Sequence, residues 1–428
     1  MTNLWQSKSF KLTASGFALA FLLLIVSLGR STAATAVEKL DLQKMSAHEM
    51  GEQALTDSLY YKFDKWFDVF EREISRLEGS PESLSNRMEL MKYNFYYSGL
   101  LGELSHTLAF TSKYKIEAVA SRFILHSSRT KELAKEILES PDLTTGQQAE
   151  AYLYLGGSEG YIGIFEYGAG HLLTALVNGF QADTHLAKAL ALDPNQVDAH
   201  FGLGVYRYGN SRLGGVGNFI MQGGRDMRQK GLDHIEQAIR EKAPSMPLAL
   251  KTLAWFYISE QVNPGNSGIP EGQQLSVSLS RAKAVEFMET LESEYFANPP
   301  YPDFKGNKEL AMMRALQFIL DSEYAKAKVK FQEVLEIAED LKKNRGFAIN
   351  PQLTDSIQAG VEFRDLMLMA PAKSDEAGVR SACLKVTDQL NFLNGGGAMV
   401  EYDSKKIRGE LHSLFAGRLE GISRQMNC

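Results

Sequence analysis

Eight histidines are the side chains best suited to ligate a metal or move a proton near neutral pH: His48, His106, His126, His171, His185, His200, His234 and His412. A helical zinc site needs two of them four residues apart, as in H-x3-H or H-E-x-x-H, because that spacing puts both rings on one face. No pair has it. His185 and His200 flank the turn at Pro194, where a helical hairpin would let them approach as a metal pair. Packing or a polar surface contact explains them more simply. No metal ligand set and no cofactor is assigned. Nucleophilic chemistry finds no better footing: there is no G-x-S-x-G, and Cys383 has no histidine partner in the sequence. No catalytic residue is assigned.

The segment from Gly209 to Gly231, GNSRLGGVGNFIMQGGRDMRQKG, is the second candidate. Glycines let backbone amides approach an anion, and Arg212, Arg225 and Arg228 would add charge. A nucleotide loop requires G-x-x-x-x-G-K-[ST] after a strand, and neither is present. The reading is a flexible insertion between two helices, with an apolar centre, Phe219-Ile220-Met221, that would tuck into a groove or meet a partner or membrane surface. Leading into it are Tyr206, Arg207 and Tyr208, and at its start Asn210 and Arg212, the residues assigned here to partner binding. Tyr60-Tyr61, Trp66-Phe67, Phe95-Tyr96-Tyr97 and Trp255-Phe256-Tyr257 form aromatic clusters. These read as inter-helix core, with peptide recognition as the alternative. The acid pairs Asp64/Asp68 and Glu71/Glu73 read as a solvated face.

The elements that must position these residues are helical. Alternating apolar–polar runs are nearly absent, and apolar residues recur at three- and four-residue steps. From Tyr324 the stripe Ala327, Phe331, Val334, Leu335, Ala338 and Leu341 excludes Lys326, Lys330, Glu333 and Glu336. The spacing predicts helices over 54–77, 86–111, 115–139, 147–170, 172–193, 197–209, 227–242, 246–261, 276–296, 308–343, 353–369, 374–393 and 403–425. Gly/Pro/Asn punctuation separates them, as at Ser140-Pro141-Asp142 and Asp193-Pro194-Asn195. The fold class is all-α.

A repeat is superimposed on these helices. Ala182 and Leu186, Ala189, the helix-stopping Pro194, then Leu203-Gly204 and Tyr208 follow the order expected of stacked helical hairpins. Gly231, Ile235 and Ala238 with Leu253, Ala254 and Tyr257 repeat it, as do Ala311, Ala315 and Phe318 with Tyr324, Ala327 and Phe331. Leu155-Gly156 gives a weaker fourth copy. Their order is read as a period near 34 residues. On these residues the chain resembles the tetratricopeptide-repeat superfamily, and more narrowly a group of exported bacterial repeat proteins of undefined activity. The resemblance rests on AYLYLGGSEGYIGIF (151–165), ALALDPNQVDAHFGLGVYRYGNSRL (189–213) and KGLDHIEQAI (230–239), and covers 147–343. It departs in lacking the first-helix tryptophan and in the loops 209–226 and 262–275. It implies an irregular, TPR-like antiparallel helix-hairpin solenoid with non-repeat helical flanks.

The organisation expected is a signal peptide or N-terminal anchor over 1–36, a helical region over 37–146, repeats with the insertion 209–230 over 147–343, and a helical region over 344–428. Residues 1–36 run from basic (Lys8, Lys11) through an apolar stretch (Phe17 to Leu28) to small residues (Ser31 to Ala36), the order of a secretory signal. The expected location is therefore exported, periplasmic or cell envelope. Its removal takes away Lys8, Lys11 and Arg30 and no acid, moving the net charge from −6 to −9. That balance argues against nucleic acid as partner. A membrane is a partner only if the N-terminal segment stays uncleaved. Cys383 and Cys428 would lie too far apart along a helical hairpin to bridge. The expected function is a non-enzymatic scaffold for a protein or peptide partner. The alternatives are a small-ligand binder or enzyme with 209–226 as a lid, and a membrane-anchored envelope assembly component.

Overall fold

The computed structural model describes residues 44–108, 117–168, 171–213, 222–262 and 275–347, together with Arg424. The two cysteines, Phe219-Ile220-Met221 and the helices expected beyond 347 lie outside the described residues. Among the described residues there are helices and no strand. In chain order these are α1 (Ala47–Ser58), α2 (Asp64–Glu78), α3 (Leu84–Leu108), α4 (Glu117–Leu138), α5 (Thr145–Gly168), α6 (Leu172–Leu192) and α7 (Asp198–Leu213). Then follow α8 (Arg228–Arg240), α9 (Met246–Val262), α10 (Val277–Leu291) with a π-helical turn (Glu292–Phe296), α11 (Lys308–Leu320) and α12 (Tyr324–Arg345).

Local chemistry sets the ends. At α1 the Ser46 hydroxyl accepts from the Glu49 amide while Glu49 accepts from the Ser46 amide at 2.7 Å, a reciprocal cap. α12 ends on Gly346 at φ 67°, a conformation cheap for glycine, and Lys342, Lys343 and Arg345 stand in its last turn, where the helix dipole favours cations. Two expected helices are each divided in two. Tyr61 at φ 63° lies in the break between α1 and α2, and Ser322 at φ 61° between α11 and α12. At the first break the reversal turns Tyr60 onto Tyr301 and Phe304.

The helices form successive antiparallel hairpins, α3/α4, α5/α6, α7/α8, α9/α10 and α11/α12. The molecule is an all-α helical-hairpin solenoid. One layer holds α3, α5, α7, α9 and α11, and the second holds α4, α6, α8, α10 and α12. Glycine permits the tightest approaches. A Cβ on Gly156 would lie 3.1 Å from the Ala182 carbonyl oxygen, and one on Gly204 would lie 2.6 Å from that of Gly231. The sequence's L-G pairs thus pack on its A-x3-F positions in the next helix. These contacts correct the repeat length. Gly156, Gly204 and Ala254 recur at 48 and 50 residues, not near 34, because the hairpins are built from long helices with extended connections.

The array curls until its ends meet. One core joins α1 to α5 with α11 and α12, through residues such as Trp66, Tyr97, Met312, Phe331 and Val334. A second centres on α7 to α11, around Tyr208, Leu253, Phe256 and Met288. Helix α1 lies along α3 and reaches α9. Asn307, at the start of α11, donates to the Leu59 carbonyl at 3.0 Å.

Candidate functional site

The five partner-binding residues expected from the sequence lie on three faces of α7. Tyr208 and Arg212, one turn apart, point into the fold toward α9. The Tyr208 ring stacks on Phe256 with centroids 4.2 Å apart. Its hydroxyl donates to Glu260 Oε1 at 2.8 Å. Arg212 lies 3.4 Å from the same oxygen and donates to the Ser259 carbonyl at 2.9 Å. Arg228, from α8, meets Glu260 Oε2 at 2.8 Å and is flanked by Asp226 at 3.0 Å. Glu260, Arg212 and Arg228 are almost wholly buried. Burial pushes the Glu260 carboxyl up, against the pull of both guanidinium groups and the Tyr208 hydroxyl. Two cations face two anions here, as burial of charge demands.

Arg207 turns instead to the second layer. Its Nε donates to Asp183 of α6 at 2.8 Å, and its Nη1 lies 2.7 Å from His234 Nε2 in α8. A guanidinium only donates, so His234 Nε2 accepts and its proton sits on Nδ1. That Nδ1 is 2.9 Å from His200 Nδ1, which therefore accepts, leaving the His200 proton on Nε2. Burial, with Arg207 behind it, holds His234 down to about 4. His185 and His200 do not pair, and each makes a polar contact elsewhere, the simpler of the two readings. His185 Nδ1 is 2.6 Å from the buried Glu159, which also meets Lys131 at 3.2 Å.

Tyr206 and Asn210 share the third face. The Tyr206 ring fits against Gly179 of α6, where a Cβ would lie 2.7 Å from it. The Tyr206 hydroxyl and Asn210 Nδ2 are buried with no hydrogen-bond partner among the described residues. Tyr208, Asn210 and Arg212 are thus interior, and only Tyr206 and Arg207 keep partial exposure. These two brace α6 from beneath.

The surface that α6 presents was not singled out in the sequence. Leu172, Leu173, Val177 and Phe180 stand exposed along it, Leu173 at 80%. The Lys131 amine of α4 donates to Asn178 of α6 at 3.1 Å. Because α4 and α6 run parallel, that bond puts Leu125, 61% exposed, level with Leu172. No charged residue occurs between Leu172 and Ala182. The apolar periodicity of α6 looks like core in the sequence. What betrays the surface is that it has apolar residues on both faces, with Ala175, Ala182 and Leu186 turned inward.

The aromatic clusters are mostly core: Tyr60, Tyr61, Trp66, Tyr96, Tyr97, Phe256 and Tyr257 are buried. Among the described residues no group of three His, Cys, Asp or Glu side chains is placed to hold a metal ion. Nor is any described helix long and apolar enough to cross a membrane. No protein-family model, curated protein or solved structure matches this chain.

Proposed function

We propose that this chain is an exported, tetratricopeptide-like scaffold that binds a protein partner without catalysing a reaction. The observation that carries this reading is the apolar face of α6. Leu172, Leu173, Val177 and Phe180 stand exposed along a stretch of α6 that carries no charged residue, and Leu125 of α4 is exposed as well. Patches of this kind on a folded surface mark interaction sites. The frame behind it is stiff: α6 is tied to α4 by Lys131, to α5 by His185–Glu159 and to α7 by Asp183–Arg207. A preorganised face loses little freedom on docking. Repeated hairpins in two layers, with the L-G glycines set against the A-x3-F positions, support kinship of architecture with tetratricopeptide arrays. The N-terminal order of basic, apolar and small residues supports export to the periplasm or envelope.

The test is capture from an envelope extract with wild type and with Leu173→Glu/Val177→Glu. Loss of a reproducible partner in the variant, with helix content and melting temperature unchanged, is expected. The same partner recovered by both proteins removes α6 from the reading.

A further inference from the structure

The exposed stripe of α6 has an internal symmetry. Leu173, Val177, Phe180, Thr184, Ala187 and Ala191 follow one another at steps of four and three residues, the a/d seam of a coiled coil. None is charged, and each is exposed or half-buried. The series reads the same reversed about Ala182, so a twofold axis there maps it onto itself. Under that operation Leu173 meets Ala191, Val177 meets Ala187, and Phe180 meets Thr184. Large opposes small at every step, as interdigitating packing requires. The residues flanking the helix are polar at both ends: His171, which precedes α6 and meets Glu166 of its own chain at 2.6 Å, falls opposite Asp193, which follows it. Lys188, the exposed charge next to the stripe, is drawn back onto Tyr152 at 2.6 Å.

We infer that the partner of this face is a second copy of the chain, bound through antiparallel α6–α6 pairing about a twofold axis at Ala182. The inference rests on the reading of α6 as a docking face and names its occupant. An isologous contact requires one patch to complement itself, and this stripe does so in size, with no charge on it to repel its copy. The contact is one helix pair flanked by Leu125 and Leu172, at the small end of specific interfaces, so the dimer is reversible with Kd on the order of micromolar.

Sedimentation velocity of the purified full chain over a concentration series tests it. A monomer–dimer equilibrium is expected for wild type. At least a tenfold weakening is expected for Leu173→Glu and for Phe180→Glu. No change is expected for Val329→Glu, which alters an exposed apolar residue on α12. Geometry is read by oxidation in a Cys383→Ser/Cys428→Ser background. Phe180→Cys/Thr184→Cys forms a covalent dimer, whereas Phe180→Cys alone does not, since residue 180 faces 184 only in the antiparallel register. A wild-type chain that stays monomeric, a dimer indifferent to both glutamate variants, or cross-linking by Phe180→Cys alone overturns the inference. A monomer whose α6 variants still lose a captured partner overturns self-pairing and leaves the docking face standing.

Discussion

Lys251 and Glu103 are 148 residues apart in the chain and 2.5 Å apart in the fold. The ammonium of Lys251, in α9, also meets Glu309 of α11 at 2.8 Å, so three helices from different hairpins converge on one buried cation. The two carboxylates hold the Lys251 amine above its usual range despite burial. Here the curl of the array becomes a closed arrangement. Beside it, Lys308 is fully buried, and burial brings its amine down to about 8.

Lys251→Met is therefore expected to destabilise the protein by about 3–5 kcal/mol, because Glu103 and Glu309 would be left buried with no cation between them. The triple change Lys251→Met/Glu103→Gln/Glu309→Gln is expected to recover part of that loss. Urea unfolding of the three proteins measures it. Equal stability of wild type and Lys251→Met would remove the closing role of this cluster.

A similar argument applies to Glu260. Tyr208→Phe removes one hydroxyl from a charged acceptor without opening a cavity, and about 1.5–3 kcal/mol of stability is expected to go. Glu260→Gln leaves Arg212 and Arg228 with one buried anion fewer and is expected to cost more than Tyr208→Phe. Reversal of that order in chemical denaturation would show that the carboxylate does not organise the cluster.

The histidines give stability a pH dependence. His234 and His126 are both held down to about 4, first by burial and then by Arg207 and Arg122 respectively, from an ordinary value of 6.5. His126 keeps Asn94 within 2.7 Å of Nδ1. Between pH 6.5 and 4 the unfolded chain takes up protons that the folded chain refuses, so stability present above that window is lost as pH falls through it. His234→Gln is expected to flatten the melting-temperature profile between pH 7 and 4, while His126→Gln removes a separate portion of the slope. A profile identical to wild type in both variants would place the acid sensitivity elsewhere.

Helix existence was legible because apolar periodicity is a local property. The L-G and A-x3-F positions were legible because close approach between helices restricts residue size. The break at Tyr61 was not, since its left-handed backbone is held by contacts with residues some 240 positions away, such as Phe304. The start of α1 lies outside the expected span 54–77, although Ser46 and Glu49 carry the spacing of a capping box. Among the expected site residues, Tyr206 and Arg207 border the α6 face, whereas Tyr208, Asn210 and Arg212 turn inward. Their inward turn depends on Glu260, a lone acid after the apolar run ending at Ile258. Glu103 and Lys251 likewise each stand alone within an apolar stretch of their helices, and that pattern is the readable mark of a buried pair. The hairpin length was misread because identical residue types recur often enough in helices to fit several periods; only the packing of Gly156 and Gly204 fixes which positions are equivalent.

Those glycines supply the last prediction. In Gly204→Ala the new methyl would stand 2.6 Å from the Gly231 carbonyl oxygen and 2.4 Å from Ile235 Cγ1, with α7 and α8 both held by the Glu260 and His234 contacts. Backbone must move to admit it, and a loss of about 1–3 kcal/mol is expected. Gly231→Ala meets the same wall from the other side, 2.6 Å from the Tyr208 nitrogen. Gly146, in the first turn of α5, has nothing within 4 Å of its added Cβ. Gly146→Ala is therefore expected to gain about 0.5–1 kcal/mol through helix propensity. Because the pair Gly204/Gly231 shares one contact, the double alanine variant should cost less than the sum of the singles. Denaturation midpoints at constant slope measure all four proteins. If Gly204→Ala were as stable as Gly146→Ala, the close approach of α7 and α8 would not be what fixes the hairpin.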